Sequence, residues 1–209
     1  MNSRTSAASL LRKFALLSFM GLVAMSALAE SPVTVIEQGA QELGEKLEGR
    51  RDELKNDKTA LYALIDEMLL PRFDREYAAR LVLGRHWRSA SEPQQQRFIA
   101  AFYQALLRRY ADGVLEYDSS RVEIMPYRGD DQEKRTTVRT TVTLDDGTKV
   151  PVNYALVRRD TGWLMFDVTI EGISYVRNFR AEMNSEIQAK GLESVIKRLE
   201  SEAEISEVS

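Results

Sequence analysis

Cysteine is absent from all 209 residues, and histidine occurs once, at His86. No disulfide framework can form, and no cysteine is present for lipid attachment. A structural zinc site needs three or four Cys, His or carboxylate ligands at short spacings, which leaves it without material here. A Ser-His-Asp nucleophile would have to be built on His86. That residue sits in Gly84-Arg85-His86-Trp87-Arg88, a short connector, and reads as a packing or surface residue. The glycines fall singly, as at Gly84, Gly113, Gly147 and Gly162, so no phosphate-cradling loop exists. Asp145-Asp146-Gly147 lacks the spaced ligands and closing glutamate of a calcium loop and reads as a hairpin turn. Acids are plentiful, but nothing in the sequence singles out a catalytic pair.

A surplus of positive charge is missing too: the chain carries 29 basic and 32 acidic residues. Three of the basic ones, Arg4, Arg12 and Lys13, lie in the first 29 residues, ahead of an apolar stretch from Phe14 to Met25 and the small residues of Ala27-Leu28-Ala29. This order predicts a cleavable secretory signal over residues 1–29, the apolar stretch being too short for the roughly 20 residues of a spanning helix. Without that leader the net charge falls from −3 to about −6. Such a balance argues against nucleic acid or an anionic membrane as a tight partner. Residues 30–209 are expected to form one domain, or two small lobes, with an acidic tail fraying from about residue 201.

Apolar residues recur at helical spacing from Val33 to Leu54, then from Leu61 to Leu69 behind an Asn56-Asp57 cap and ahead of Pro71. A shorter helix is expected over 72–83, with Gly84 as its stop. Ser91-Glu92-Pro93-Gln94 is a capping box with proline in the first turn. It opens a long helix carrying Phe98, Ile99, Phe102, Leu106, Tyr110, Val114 and Leu115. The period then changes to two over 122–127, 135–144, 148–158 and 163–170, separated by Asp145-Asp146-Gly147 and Asp160-Thr161-Gly162. Pro151 cannot donate to a ladder and is expected at an edge or bulge. Helix returns from Tyr175 to Ala189 and again after Gly191. The pattern predicts an α+β fold: a four-stranded antiparallel curved sheet with amphipathic helices packed on one face. Alternate strand positions give one apolar face, including Leu164, Phe166 and Val168, which turns Asp167 away. Periodicity alone does not separate a filled core from an apolar cavity.

Three stretches carry a resemblance. They are Pro71-Arg72-Phe73-Asp74 leading to Leu83-Gly84-Arg85-His86-Trp87-Arg88-Ser89-Ala90; Gln94-Gln95-Gln96-Arg97-Phe98 with Ala101-Phe102-Tyr103-Gln104-Ala105-Leu106-Leu107 and Tyr110-Ala111; and Gly162-Trp163-Leu164-Met165-Phe166-Asp167-Val168 with Glu171-Gly172-Ile173-Ser174 and Asn178-Phe179-Arg180. In this order and spacing the chain resembles the MlaC family, also called the toluene-tolerance auxiliary proteins, from about Ile36 to Leu199. The family often has Tyr where Phe179 stands here.

The resemblance implies a periplasmic phospholipid carrier, not an enzyme, with no cofactor beyond the bound lipid. Its acyl chains would lie between sheet and helices, and its partners would be an outer-membrane lipoprotein–porin complex and an inner-membrane ABC transporter with a lipid-binding ring. A monomer without nucleic acid is expected. For the pocket the candidates are Ile124, Val142, Val152, Tyr154, Leu164 and Phe166 on the sheet, facing Phe102, Leu106 and Tyr110 on the long helix. Two rivals remain open: a periplasmic chaperone for lipoproteins or outer-membrane proteins, and an enzyme using Asp167 or Glu171.

Overall fold

The computed structural model describes residues 30–130 and 133–205. The expected leader over 1–29 and the last residues of the acidic tail lie outside that range. The described residues open with α1 (Pro32–Leu47), capped by Ser31, whose hydroxyl accepts from the Thr34 amide at 3.1 Å. The apolar period from Val33 to Leu54 is not one helix. Gly49 takes a left-handed φ of 72° and breaks it, so a short α2 (Arg51–Asn56) follows at a new angle. Asp57 caps α3 (Lys58–Leu69), and Asp74 caps α4 (Arg75–Leu83), each accepting a backbone amide at 2.9 Å. Gly84, at φ 53°, ends α4 and starts a 3-10 turn, Gly84–Arg88. The capping box of Ser91 and Gln94 forms as expected and opens α5 (Glu92–Leu115), 24 residues long.

The sheet is antiparallel throughout, in the order β1 (Val122–Ile124), β2 (Arg135–Thr143), β3 (Lys149–Arg159), β4 (Gly162–Ile170) and β5 (Ile173–Ser174). It has five strands rather than four. The two residues of β5 are too few for any periodicity to reveal. They pair with Thr169 and Ile170 because Glu171 (φ 50°) and Gly172 (φ 83°) turn the chain back sharply. Pro151 lies in β3, a central strand, opposite Thr141. Its carbonyl accepts from the Glu171 amide at 3.1 Å just past the end of β4. A residue's N and C=O point to the same side of a strand, so the missing N–H falls where the β3–β4 ladder stops.

A β-bulge shifts the β3–β4 register: Ala155 faces Asp167, but Leu156 faces Met165. Phe166 is the extra residue, and the side-chain alternation of β4 changes phase there. Trp163, Met165 and Val168 therefore share the helix-covered face with Leu156 and Tyr154, while Leu164 pairs with Val157 on the opposite face. The segment before α4 also joins the sheet. Met165 N donates to Arg72 O, and Asp74 N donates to Met165 O, each at 2.7 Å.

Helices α6 (Tyr175–Lys190) and α7 (Leu192–Ile205) complete the chain, turned at Gly191 (φ 81°). The helix persists beyond Ser201, where fraying was expected. Arg198 bonds Glu202 at 2.7 Å and Glu186 of α6 at 2.7 Å, tying the last turn to its neighbour. Three buried clusters result. One gathers Phe98 and Phe102 of α5 with Leu83, Met183, Val195, Ile196 and Leu199 from the flanking helices. A second joins Leu47, Leu54, Leu61 and Leu64 to Tyr103 and Leu107. The third places Val35 and Ile36 of α1 on Val138, Leu156 and Trp163 of the sheet.

Candidate functional site

Between the sheet and the helices lies a cavity of about 330 Å³. Helix α5 supplies one wall with Phe102, Tyr103, Leu106, Leu107, Tyr110, Ala111 and Val114, at the i, i+3, i+4 spacing read from the sequence. The sheet supplies Tyr154, Met165, Phe166, Val168 and Ile170. The bulge explains why adjacent residues Met165 and Phe166 both line it. Ile65, Leu69, Phe73 and Ala78 close the α3–α4 side, and Tyr175, Val176 and Phe179 of α6 close the other. Edge-to-face ring pairs stiffen the walls: Phe102 on Phe179 at 5.4 Å, Tyr77 on Phe166 at 5.0 Å and Tyr110 on Tyr175 at 5.1 Å. Tyr110 is 39% exposed, so the cavity opens to solvent beside it.

Of the nine candidates, the structure brings five to the cavity: Phe102, Leu106, Tyr110, Tyr154 and Phe166. Four lie elsewhere. Leu164 is on the opposite face because the bulge reverses its side. Ile124 has the expected face but packs into the cluster under α1. Val142 sits between Val122 and Val150, away from the cavity. Val152, opposite Thr140, is buried without lining it. The sequence reading missed Met165, Val168 and Ile170 as lining residues. It also missed the lining residues of α3, which had shown only as the apolar side of a helix.

The polar groups near the cavity are held neutral or tied down. The Tyr103 hydroxyl donates to Asp66 Oδ1 at 2.6 Å, and burial together with that carboxylate pushes its pKa far up. The Tyr117 hydroxyl is buried with no hydrogen-bond partner among the described residues, and desolvation raises its pKa to about 12. Asp167 borders the cavity, but its carboxylate turns to the start of α6. Oδ2 accepts from the Ser174 hydroxyl at 2.5 Å, and Oδ1 accepts from the Val176 amide at 3.0 Å. Both oxygens are thereby occupied in capping a helix. His86 packs against α6, its Nε2 lying 3.0 Å from Asn184 Oδ1. Among the described residues no His, Asp and Glu cluster could hold a metal ion, and no helix is long and apolar enough to cross a membrane.

Walls made almost wholly of carbon offer contact area to apolar chains. The family model described as MlaC protein matches residues 37–201.

The chain belongs to the MlaC family.

Its relatives include toluene tolerance protein ttg2D of Pseudomonas putida, 27% identical over 88% of this chain and 85% of that one. Another is the intermembrane phospholipid transport system binding protein MlaC of Haemophilus influenzae, 23% identical and covering 87% of each chain. The fold is shared with a phospholipid-binding protein from Ralstonia solanacearum, solved with a phospholipid. The TM-score is 0.73 at 21% identity, over 81% of this chain and 94% of that one.

Proposed function

We propose that this protein is an exported, soluble phospholipid carrier of the periplasm. It holds acyl chains in the cavity between α5 and β4 and moves lipid between membranes. The single observation that carries this reading is the cavity itself, a space of about 330 Å³ walled almost wholly by carbon in a chain of the MlaC family. The names of its relatives, a phospholipid transport binding protein and a phospholipid-bound structure, point to the same cargo.

The physics supports a carrier. Each methylene exposed to water costs about 0.8 kcal/mol, so moving roughly 30 methylenes of a diacyl lipid through water costs on the order of 24 kcal/mol. A dry cavity removes that barrier without any chemical step. Binding through area rather than through hydrogen bonds tolerates different headgroups. A net negative surface keeps the carrier from adhering to anionic bilayers between visits. The donor and acceptor would be an outer-membrane lipoprotein–porin complex and an inner-membrane ABC transporter with a lipid-binding ring.

The test is organic extraction of the purified chain starting at Glu30, followed by mass spectrometry. Near-stoichiometric diacyl phospholipid is the expected result. Co-purified acylated polypeptide would replace the carrier with a chaperone. Lipid-free protein that also takes nothing from vesicles would end the carrier reading.

A further inference from the structure

A second, smaller cleft of about 230 Å³ adjoins the apolar cavity. Leu81 of α4, Thr169 of β4 and Arg177 and Arg180 of α6 border it. It shares Phe166, Asp167 and Val176 with the cavity, so the Phe166 ring stands between the two spaces. Their chemistry differs: the cavity is walled by carbon, whereas the cleft adds two arginines, two hydroxyls and the Asp167 carboxylate to its apolar residues.

The arginines are the informative feature. Arg177 and Arg180 lie three residues apart on α6 and so share a helix face. Several arginines of the protein are ion-paired, as Arg72 is with Glu42, Arg97 with Glu193 and Glu200, and Arg198 with Glu186. The guanidinium groups of Arg177 and Arg180 have no hydrogen-bond or ion-pair partner among the described residues; the Arg177 amide donates to Ser174 Oγ. The acid bordering the cleft is Asp167, and both its oxygens are already held by Ser174 and the Val176 amide. Arg180 is also braced. Its Nε lies 2.8 Å from where a Cβ of residue 84 would stand, so left-handed Gly84 leaves the guanidinium its place against α4.

We propose that this cleft is an anion subsite in which Arg177 and Arg180 take the phosphate group of the bound amphiphile. The proposal rests on the carrier reading for the chains. A guanidinium offers a planar fork of donors matched to phosphate oxygens, and two of them in a cleft match a phosphodiester. Phe166 is the connecting element. As the bulged residue of β4 it sits where the ladder is interrupted, with its ring against Tyr77. Phe166, Asp167 and Val176 line both spaces, so chains and phosphate would occupy adjoining compartments of different polarity. Free phosphate presents the same chemistry to the arginines.

The test compares the chain starting at Glu30 with its Arg177→Ala/Arg180→Ala variant. Both side chains are exposed, so the variant is expected to fold, with an unchanged melting temperature as the check. Each protein is equilibrated with vesicles containing phosphatidylglycerol and diacylglycerol of identical chains, and the captured lipids are counted by mass spectrometry. The parent is expected to prefer the phosphate-bearing lipid by about tenfold, equivalent to 1.4 kcal/mol. The variant is expected to lose that preference through weaker capture of phosphatidylglycerol, with capture of the phosphate-free diacylglycerol unchanged. A parent with no preference, or a variant that keeps it, overturns the subsite while leaving the carrier intact. A second arm titrates the lipid-stripped parent with inorganic phosphate and follows the arginine Nε–H signals by NMR. If no lipid is captured but the Arg177 and Arg180 signals move at millimolar phosphate, the cleft stands as a site for free phosphate and the carrier reading falls. No capture and no movement ends both.

Discussion

Helix α5 passes through two apolar environments made of the same residue types. Around Phe98 and Ala101 it is enclosed by α4, α6 and α7, and Phe98 is fully buried. One to three turns later, at Leu106, Tyr110 and Val114, the same face borders open space. The difference lies in what stands opposite. Helix α7 covers the first half, anchored by Arg97 bonds to Glu193 and Glu200 at 2.7 to 2.8 Å. Opposite the second half stands the bulged strand β4, with the modest side chains of Val168 and Ile170. A stripe of hydrophobic residues thus specifies which face is dry. The partner element decides whether the dry space is filled.

Truncation breaks the comparison most strongly. Phe98→Ala in the filled half is expected to cost roughly 3–5 kcal/mol, because a cavity is created where none existed. For a domain of this size each kcal/mol lowers the melting temperature by about 2–4 °C. Leu106→Ala already faces open space and is expected to cost under about 1 kcal/mol, read from chemical denaturation. Equal costs would mean that the open half closes in solution.

Enlargement sharpens the contrast from the other direction. Ala101→Phe overpacks the filled half and is expected to destabilise by about 1–3 kcal/mol. Val168→Trp projects into the open half and is expected to leave stability within about 1 kcal/mol while reducing captured lipid at least about tenfold. Extracted lipid per protein checks the second variant, and a lost fold with lipid retained would invert the assignment.

The two smallest effects concern the hydroxyls that the packing traps. Burial holds Tyr117 at a pKa of about 12, above its ordinary value, and Tyr103, Tyr110 and Tyr154 are raised in the same direction. A folded-state pKa above the unfolded one gives stability that is complete below pH ~10 and is lost as pH rises through the folded values. The melting temperature is therefore expected to hold to pH ~10 and fall from there toward pH ~12. Tyr117→Phe removes a buried hydroxyl with no partner among the described residues, so it is expected to stabilise by about 1 kcal/mol at neutral pH and to flatten the alkaline loss. A destabilised Tyr117→Phe protein would show that a water or other group satisfies that oxygen.

Much of this architecture was legible in residue order. The caps at Asp57 and Ser91, the glycine stops at Gly84 and Gly191 and the long α5 stripe are local signals, each carried by a side chain within a few positions of its effect. The four main strands are also local, since alternation is a period of two. What escaped was non-local. The bulge at Phe166 is a relation between β4 and β3, and no residue type announces it; it sent Leu164 to the wrong face and hid Met165. Ile124 and Val142 were given the correct face, but which part of that face lies under α1 and which under open space depends on where a helix some 90 residues earlier comes to rest. The break at Gly49 was masked because the apolar spacing continues across it.

The pairing of β4 has one further consequence. The edge of β4 away from β3 is held at two places: Arg72 and Asp74 bond Met165, and β5 covers Thr169 and Ile170. A cavity that admits a large guest must loosen some of its walls, and loosened walls commonly expose strands that a second molecule can extend. Here the strand beside the guest is pinned on its outer side at Met165 and again at Thr169 and Ile170, which breaks up any continuous row of vacant amides. Strand β4 can therefore yield around a guest while both ends of its outer edge stay paired.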